Sequence, residues 1–98
     1  MGRPIRKIPE PGTQAARMRT LREAMGYQTQ AAFAKRYGFS LGRWNNFETG
    51  KPVGRLAAKQ LVRQIPGLST GWIEDGAEGD LSTAMARKLG LLPSDDTT

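Results

Sequence analysis

The side chains of this chain that could do chemistry are amides and cations. Its 98 residues include no cysteine and no histidine. That removes disulfides, thiolate nucleophiles, imidazole general bases and almost every zinc or haem site. Between residues 13 and 65 the only carboxylates are Glu23 and Glu48, whereas a metal-dependent nuclease needs them clustered. Glu74 and Asp75 are adjacent but stand beside a turn, and no Walker-type glycine loop occurs. The expectation is no catalytic residue, no metal and no cofactor, so an enzyme is the least favoured class. The chain's amides and cations include the adjacent pair Asn45-Asn46, with Ser40 and Arg43 before it and Lys51 and Arg55 after it. An asparagine amide carries one donor group and one acceptor, the combination that adenine presents at N6 and N7. Arginine can fork onto guanine or onto a phosphate, and lysine can neutralise a phosphate.

These residues need a scaffold, and the stretch Gln30 to Thr49, QAAFAKRYGFSLGRWNNFET, has the pattern of one. It divides at Gly38. Before it, Phe33, Ala34 and Tyr37 share one face of a helix. After it, Ser40 is a good N-cap, and Leu41, Trp44 and Phe47 recur every three residues. Two short helices joined by three residues through a glycine make the helix-turn-helix plan, although an ordinary helical hairpin has the same spacing. Gly38 can take the positive φ of a sharp helix exit. Ala34 leaves room for a steep crossing, and Phe39 can fill the corner. Ser40 leaves the amide end of the second helix free to face a phosphate.

Composition and charge set the context. Apolar residues make up 38% of the chain, enough for one small all-α domain of modest stability. Residues 1–65 hold thirteen Lys/Arg against three acids, and residues 66–98 hold two against six. A basic front with an acidic tail suggests a polyanionic partner at one end, and ribosomal or membrane-surface binding would also fit. No apolar run approaches the roughly 18 residues of a membrane span. The N-terminus lacks the apolar core of a signal peptide. A cytoplasmic protein, on the nucleoid, is the expectation.

Three segments are expected. Residues 1–12 carry Pro4, Pro9 and Pro11 with Arg3, Arg6 and Lys7, a composition that rules out a helix. They form either a disordered tail or a basic arm that follows a DNA groove. Residues 13–76 hold five helices. The first runs from Thr13, its cap, to Met25, with Met18, Leu21 and Met25 inward and Gly26 at its end. Thr29 caps the second. The third covers about Leu41–Thr49 and the fourth about Val53–Ile65, with Ala58, Leu61, Val62 and Ile65 inward. Ser69 or Thr70 caps the fifth, which Gly76 closes. Residues 77–98 add a sixth helix starting at Asp80 or Ser82, with Leu81, Ala84, Met85 and Leu89 on one side, that Leu91-Leu92-Pro93 ends. Ser94–Thr98 should be loose. Leu81, Met85, Leu89, Leu91 and Leu92 either form a dimer contact or fold back on the same domain.

In order, Arg22, Gly26, Thr29-Gln30, Phe33-Ala34, Gly38, Ser40, Trp44, Phe47-Glu48 and Gly50, followed by Gly71-Trp72-Ile73-Glu74-Asp75-Gly76, resemble the phage-repressor and Cro-like (XRE-like) helix-turn-helix family over residues 13–76. The resemblance implies a compact lambda-repressor-like fold with its third helix in the major groove. It implies that Leu41, Gly42 and Asn46 face base edges, with Asn45 alongside. Gln30, Ser40, Arg43, Lys51 and Arg55 would hold the backbone, and Arg22 would pair with Glu48 to tie the first helix to the third. Asn46 shares a helix face with Gly42, and Asn45 with Leu41, so Asn46 is the better reader if Leu41 and Gly42 face the groove. This chain departs from the family's usual long polar readers at Leu41 and Gly42, has Trp44 in place of a usual aliphatic, and has a first loop one residue longer.

The resemblance therefore implies a sequence-specific double-stranded DNA-binding transcription regulator, a repressor that binds as a homodimer on a symmetric site. Two alternatives stand beside it. One is the antitoxin of a toxin–antitoxin pair, its tail bound to the toxin. The other is a protein-interaction or RNA-associated module that keeps the fold without reading DNA.

Overall fold

In a computed structural model, described over residues 10–92, the chain forms six α-helices and, among those residues, no strand. They are α1 (Gln14–Ala24), α2 (Gln30–Tyr37), α3 (Leu41–Glu48), α4 (Arg55–Gln64), α5 (Thr70–Asp75) and α6 (Thr83–Lys88). The expectations for residues 1–9 and for 93–98 lie outside the described residues.

Local chemistry sets most of these boundaries. Thr13, Thr29, Ser40, Ser69 and Ser82 each accept the amide N–H three residues on, at Ala16, Ala32, Arg43, Trp72 and Met85. Each such cap contributes about 1 kcal/mol. The fourth helix begins two residues later than its sequence pattern suggests. The N–H of Val53 is taken by the side-chain oxygen of Gln14 at 2.9 Å, and Gly54 is extended. The turn between α2 and α3 needs its glycine: Gly38 has φ +87°, and the N–H of Phe39 reaches back to the carbonyl of Ala34 at 2.8 Å. The amide of Gln60 donates to the carbonyls of Tyr37 and Gly38, and that of Gln64 to Tyr37, so α4 supplies partners for the open carbonyls at the end of α2.

The core is aromatic where α2 meets α3. Trp44 and Phe33 are fully buried with ring centroids 4.5 Å apart, and Phe39 fills the corner against Trp44 and Phe47 at 5.6 and 5.9 Å. Ala34, 1% exposed, leaves the space for this crossing. Met18, Leu21, Leu61, Ile65 and Ile73 complete the interior from α1, α4 and α5. Val62 is only partly buried against it.

The sixth helix differs from its sequence reading. Ser82, not Asp80, caps it, and the inward residues are Met85, Ala86 and Leu89, while Ala84 faces solvent. Ala84 and Ala86 lie about 100° to either side of Met85, and it is Ala86 that turns to the core. The start is fixed by the turn before it, where the N–H of Ser82 bonds the carbonyl of Gly67 at 3.0 Å. The end comes at Gly90, with φ +83°, ahead of the leucine pair and Pro93. Met85 and Leu89 belong to the main core, Leu81 and Leu91 pack against it, and only Leu92 stays exposed. The segment has folded back, so Met85 and Leu89 are not available as a dimer contact.

Replacing Gly38 tests the turn. A Cβ there would stand 2.9 Å from the Gln60 amide that caps α2, on a backbone with φ +87°. Gly38→Ala should cost about 1–2 kcal/mol. A thermal melt should show the midpoint lower by roughly 4–16 °C; an unchanged midpoint would mean that the turn tolerates a side chain.

Candidate nucleic-acid interface

Helix α3 has eight residues and two clearly different sides. Trp44, Phe47 and Glu48 point inward and are buried, while Leu41, Gly42, Arg43, Asn45 and Asn46 are exposed. The inward residues fall at i, i+3 and i+4, the spacing of one helical face, so the outward strip is set by what the helix must bury. Its start is open as well. Ser40 bonds the N–H of Arg43, and the carbonyl of Ser40 takes that of Trp44, which leaves the amides of Leu41 and Gly42 as donors at the positive end of the helix.

The inner side is held by a charge cluster. The Glu48 carboxylate accepts from Arg22 Nε at 2.7 Å and Nη2 at 3.2 Å, from Gln30 Nε2 at 3.1 Å, and from the indole N–H of Trp44. Arg22 Nη1 also donates to the carbonyls of Tyr27 and Gln28 at 3.0 and 2.9 Å. The two charged side chains are only 7% and 4% exposed. A buried charge is tolerated when it is paired and fully hydrogen-bonded, and both conditions hold. The ion pair that the resemblance implied is therefore present, and it joins α1, the first loop, α2 and α3.

Each nominated side chain has a definite place. Leu41 is 52% exposed. Gly42 is helical, and a Cβ built there meets nothing within 4 Å. The side-chain amides of Asn45 and Asn46 make no hydrogen bond among the described residues, although the Asn45 carbonyl accepts from the hydroxyl of Thr49. The Arg43 guanidinium lies over the rings of Phe39 and Phe47, 5.4 and 5.6 Å from their centroids. Such stacking holds the cation at the edge of the strip without neutralising it. Lys51 is exposed, and its N–H is bonded to the carbonyl of Asn46 at 2.9 Å, so its backbone is tied to α3.

One assignment changes. Gln30 does not stand free at the start of α2: it is half-buried, with its amide nitrogen turned in to Glu48, leaving one N–H and the carbonyl oxygen for any outside partner. Arg55, the first residue of α4, lies 3.9 Å from Glu74 with its side chain 75% exposed. An exposed pair of that length contributes little, so the cation can still turn outward.

Other polar side chains matter to the site and were not singled out by the sequence pattern. The Trp44 indole partner is one, although Trp44 and Glu48 at i, i+4 share a helix face and the spacing contains that signal. Gln14 is another: its amide nitrogen donates to the Ile73 carbonyl at 3.0 Å while its oxygen accepts from Val53. That fork spans 39 and 59 residues of sequence and has no local signature. Arg17 is a third. It donates to the carbonyls of Gly12, Ile73 and Glu74, capping α5, while its Nε is buried without a partner. Burial lowers the Arg17 guanidinium below its ordinary value, and Asp75 partly offsets this. Burial likewise raises the Tyr37 hydroxyl, as does Tyr27, against the pull of Arg36.

Among the described residues no three acidic, histidine or cysteine side chains gather as a metal site, and no helix is long and apolar enough to cross a membrane. Comparison with protein-family models, with curated proteins and with solved structures found no match.

The charge cluster carries a measurable load. Glu48→Ala leaves Arg22 buried without its carboxylate and should cost about 3–5 kcal/mol. Denaturant unfolding should show the midpoint fall with the slope unchanged; a loss under 1 kcal/mol would mean that the pair contributes no more than a surface one.

Proposed function

We propose that this protein is a sequence-specific double-stranded DNA-binding transcription regulator, a repressor that presents α3 to the major groove. What supports the reading most is how α3 spends its exposed side. It carries a leucine, a glycine and two asparagines there, and the fold uses none of these side chains. In a helix a glycine is less favourable than alanine, by up to about 0.5–1 kcal/mol, and with open space around Gly42 in the first turn of α3 no neighbour requires one. Close approach of a partner's surface does. At that surface Leu41 meets a thymine methyl, and Asn46, which shares a face with Gly42, bonds adenine N6 and N7.

The surrounding groups suit a phosphate backbone. Arg43 and Lys51 are exposed cations in and just after α3, and the free amides of Leu41 and Gly42 add donors at the helix start. Arg55, exposed at the start of α4, adds a further cation, and Gln30 contributes its remaining N–H. One such helix reads few base pairs, so useful affinity needs two copies on a symmetric site. Since α6 buries Met85 and Leu89 in its own core, the second copy must meet another surface, and Leu56, 79% exposed at the start of α4, is free to serve.

Selection of bound fragments from random duplexes tests the reading directly. A recurring palindromic sequence is expected, and recovery of no preferred sequence would remove base reading. On the selected duplex, Asn46→Ala should lose about 1–3 kcal/mol while non-specific affinity stays. Lys51→Ala should weaken selected and random duplexes alike and reduce the salt slope by about 1. If both variants behave the same way, the division between base and backbone contacts is wrong. Gly42→Ala separates fold from function. It should raise stability by up to about 0.5–1 kcal/mol and lower duplex affinity; unchanged affinity in the stabilised variant would show that nothing approaches α3 closely there.

A further inference from the structure

We propose that two copies of this chain associate about a two-fold axis, with Leu56 of each seated in a groove of the other between α1, α5 and α6; this rests on the reading of paired copies given above and assigns both halves of their contact. The projecting half is the outer face of α4. Leu56, Lys59 and Arg63 fall at i, i+3 and i+7 on one side of the helix, opposite the buried Ala58 and Leu61. Leu56, at 79%, is the most exposed large apolar side chain among the described residues. Lys59 and Arg63 are exposed too, and neither meets a carboxylate among those residues. The receiving half is a groove of about 440 Å³. Ala16, Trp72, Leu89 and Leu91 give it apolar wall, and the exposed Asp75 and Glu78 line it as well.

The two halves match in kind. A leucine meets apolar wall, and the cations beside it meet carboxylates, which fixes register and excludes wrong pairings. The one cation of the groove, Arg17, is committed to the carbonyls of Gly12, Ile73 and Glu74 and faces Asp75. Glu78 makes no ion pair among the described residues. Position favours a two-fold. Arg55, next to Leu56, lies 3.9 Å from Glu74, and Glu74 adjoins Asp75 in the chain. The start of α4 and the groove therefore neighbour one another at the end of α5. In a two-fold contact the same patch is used by both copies, so each must give and receive there at once. Halves on remote faces would instead join copies head to tail in an open chain.

Sedimentation equilibrium of the full chain without DNA, over a dilution series, tests the contact, with a thermal melt of each protein. The intact chain should reach twice the monomer mass and stop there. Leu56→Asp should raise the dimer dissociation constant roughly 10- to 100-fold, with the melting midpoint not lowered. Lys59→Glu and Glu78→Lys should each weaken the dimer, because each sets like charges together at both ends of the two-fold. An equimolar mixture of those two variants should restore it, since opposite charges then meet at both ends. No rearrangement within one chain can produce that rescue. A chain that stays monomeric, growth beyond two copies, or a mixture no stronger than its parts overturns the proposal. Glu78→Lys with a lowered melting midpoint and no rescue on mixing also overturns it, in favour of the chain's own end as the occupant of the groove. These measurements contain no DNA, so their failure leaves the reading of α3 standing; that reading fails separately if selection returns no preferred duplex.

Discussion

Everything α3 presents outward depends on one buried carboxylate. Glu48 collects donors from Arg22, Gln30 and Trp44, and Arg22 in turn holds the carbonyls of Tyr27 and Gln28. A carboxylate and a guanidinium taken out of water are costly unless every polar atom finds a partner. Here that requirement acts as a positioning device. The geometry that satisfies Glu48 also sets the rotation of α3 about its axis, and with it which residues face outward. The indole of Trp44 contributes twice, as the largest fully buried side chain and as a hydrogen-bond donor.

Around that cluster the helix ends are tied to one another by amides more than by charge. Gln14 joins α1 to the residues before α4 and to α5, and Gln60 and Gln64 join α4 to the end of α2. Neutral amides can be half-buried at modest cost, and each can donate and accept at once. This suits a small core that must fix six short helices, none of which would be stable alone. The surface is then free to keep its cations unpaired. Among the described residues only Arg22, Arg19 and, distantly, Arg55 meet a carboxylate, and a surface with unpaired cations suits the proposed phosphate contacts.

Much of the architecture was legible in residue type and spacing. Thr13, Thr29 and Ser40 announced the starts of α1, α2 and α3, and Gly26, Gly38 and Gly76 the ends of α1, α2 and α5, because caps and left-handed exits depend on the residue at the position itself. Trp44 and Phe47 were readable as inward from their period. The late start of α4 was not, since it follows from Gln14 occupying the Val53 amide from 39 residues away. Nor was the face of α6: six residues give too little periodicity to tell Ala84 from Ala86, and the choice was made by docking against the turn at Gly67.

At the candidate site the division is similar. The chain alone determines which groups exist there: two adjacent amides, a glycine, a leucine, flanking cations, and no imidazole or thiol that could do other chemistry. It also determines that α3 has an inner and an outer side, because hydrophobic period is a local property. Only the tertiary structure decided that Gln30 turns inward to Glu48, that Arg43 lies on aromatic rings, and that Gly42 faces empty space. Each of these depends on which atoms from remote segments arrive at the same place. Burial and hydrogen-bond satisfaction are summed over the whole fold, and no window of sequence contains that sum.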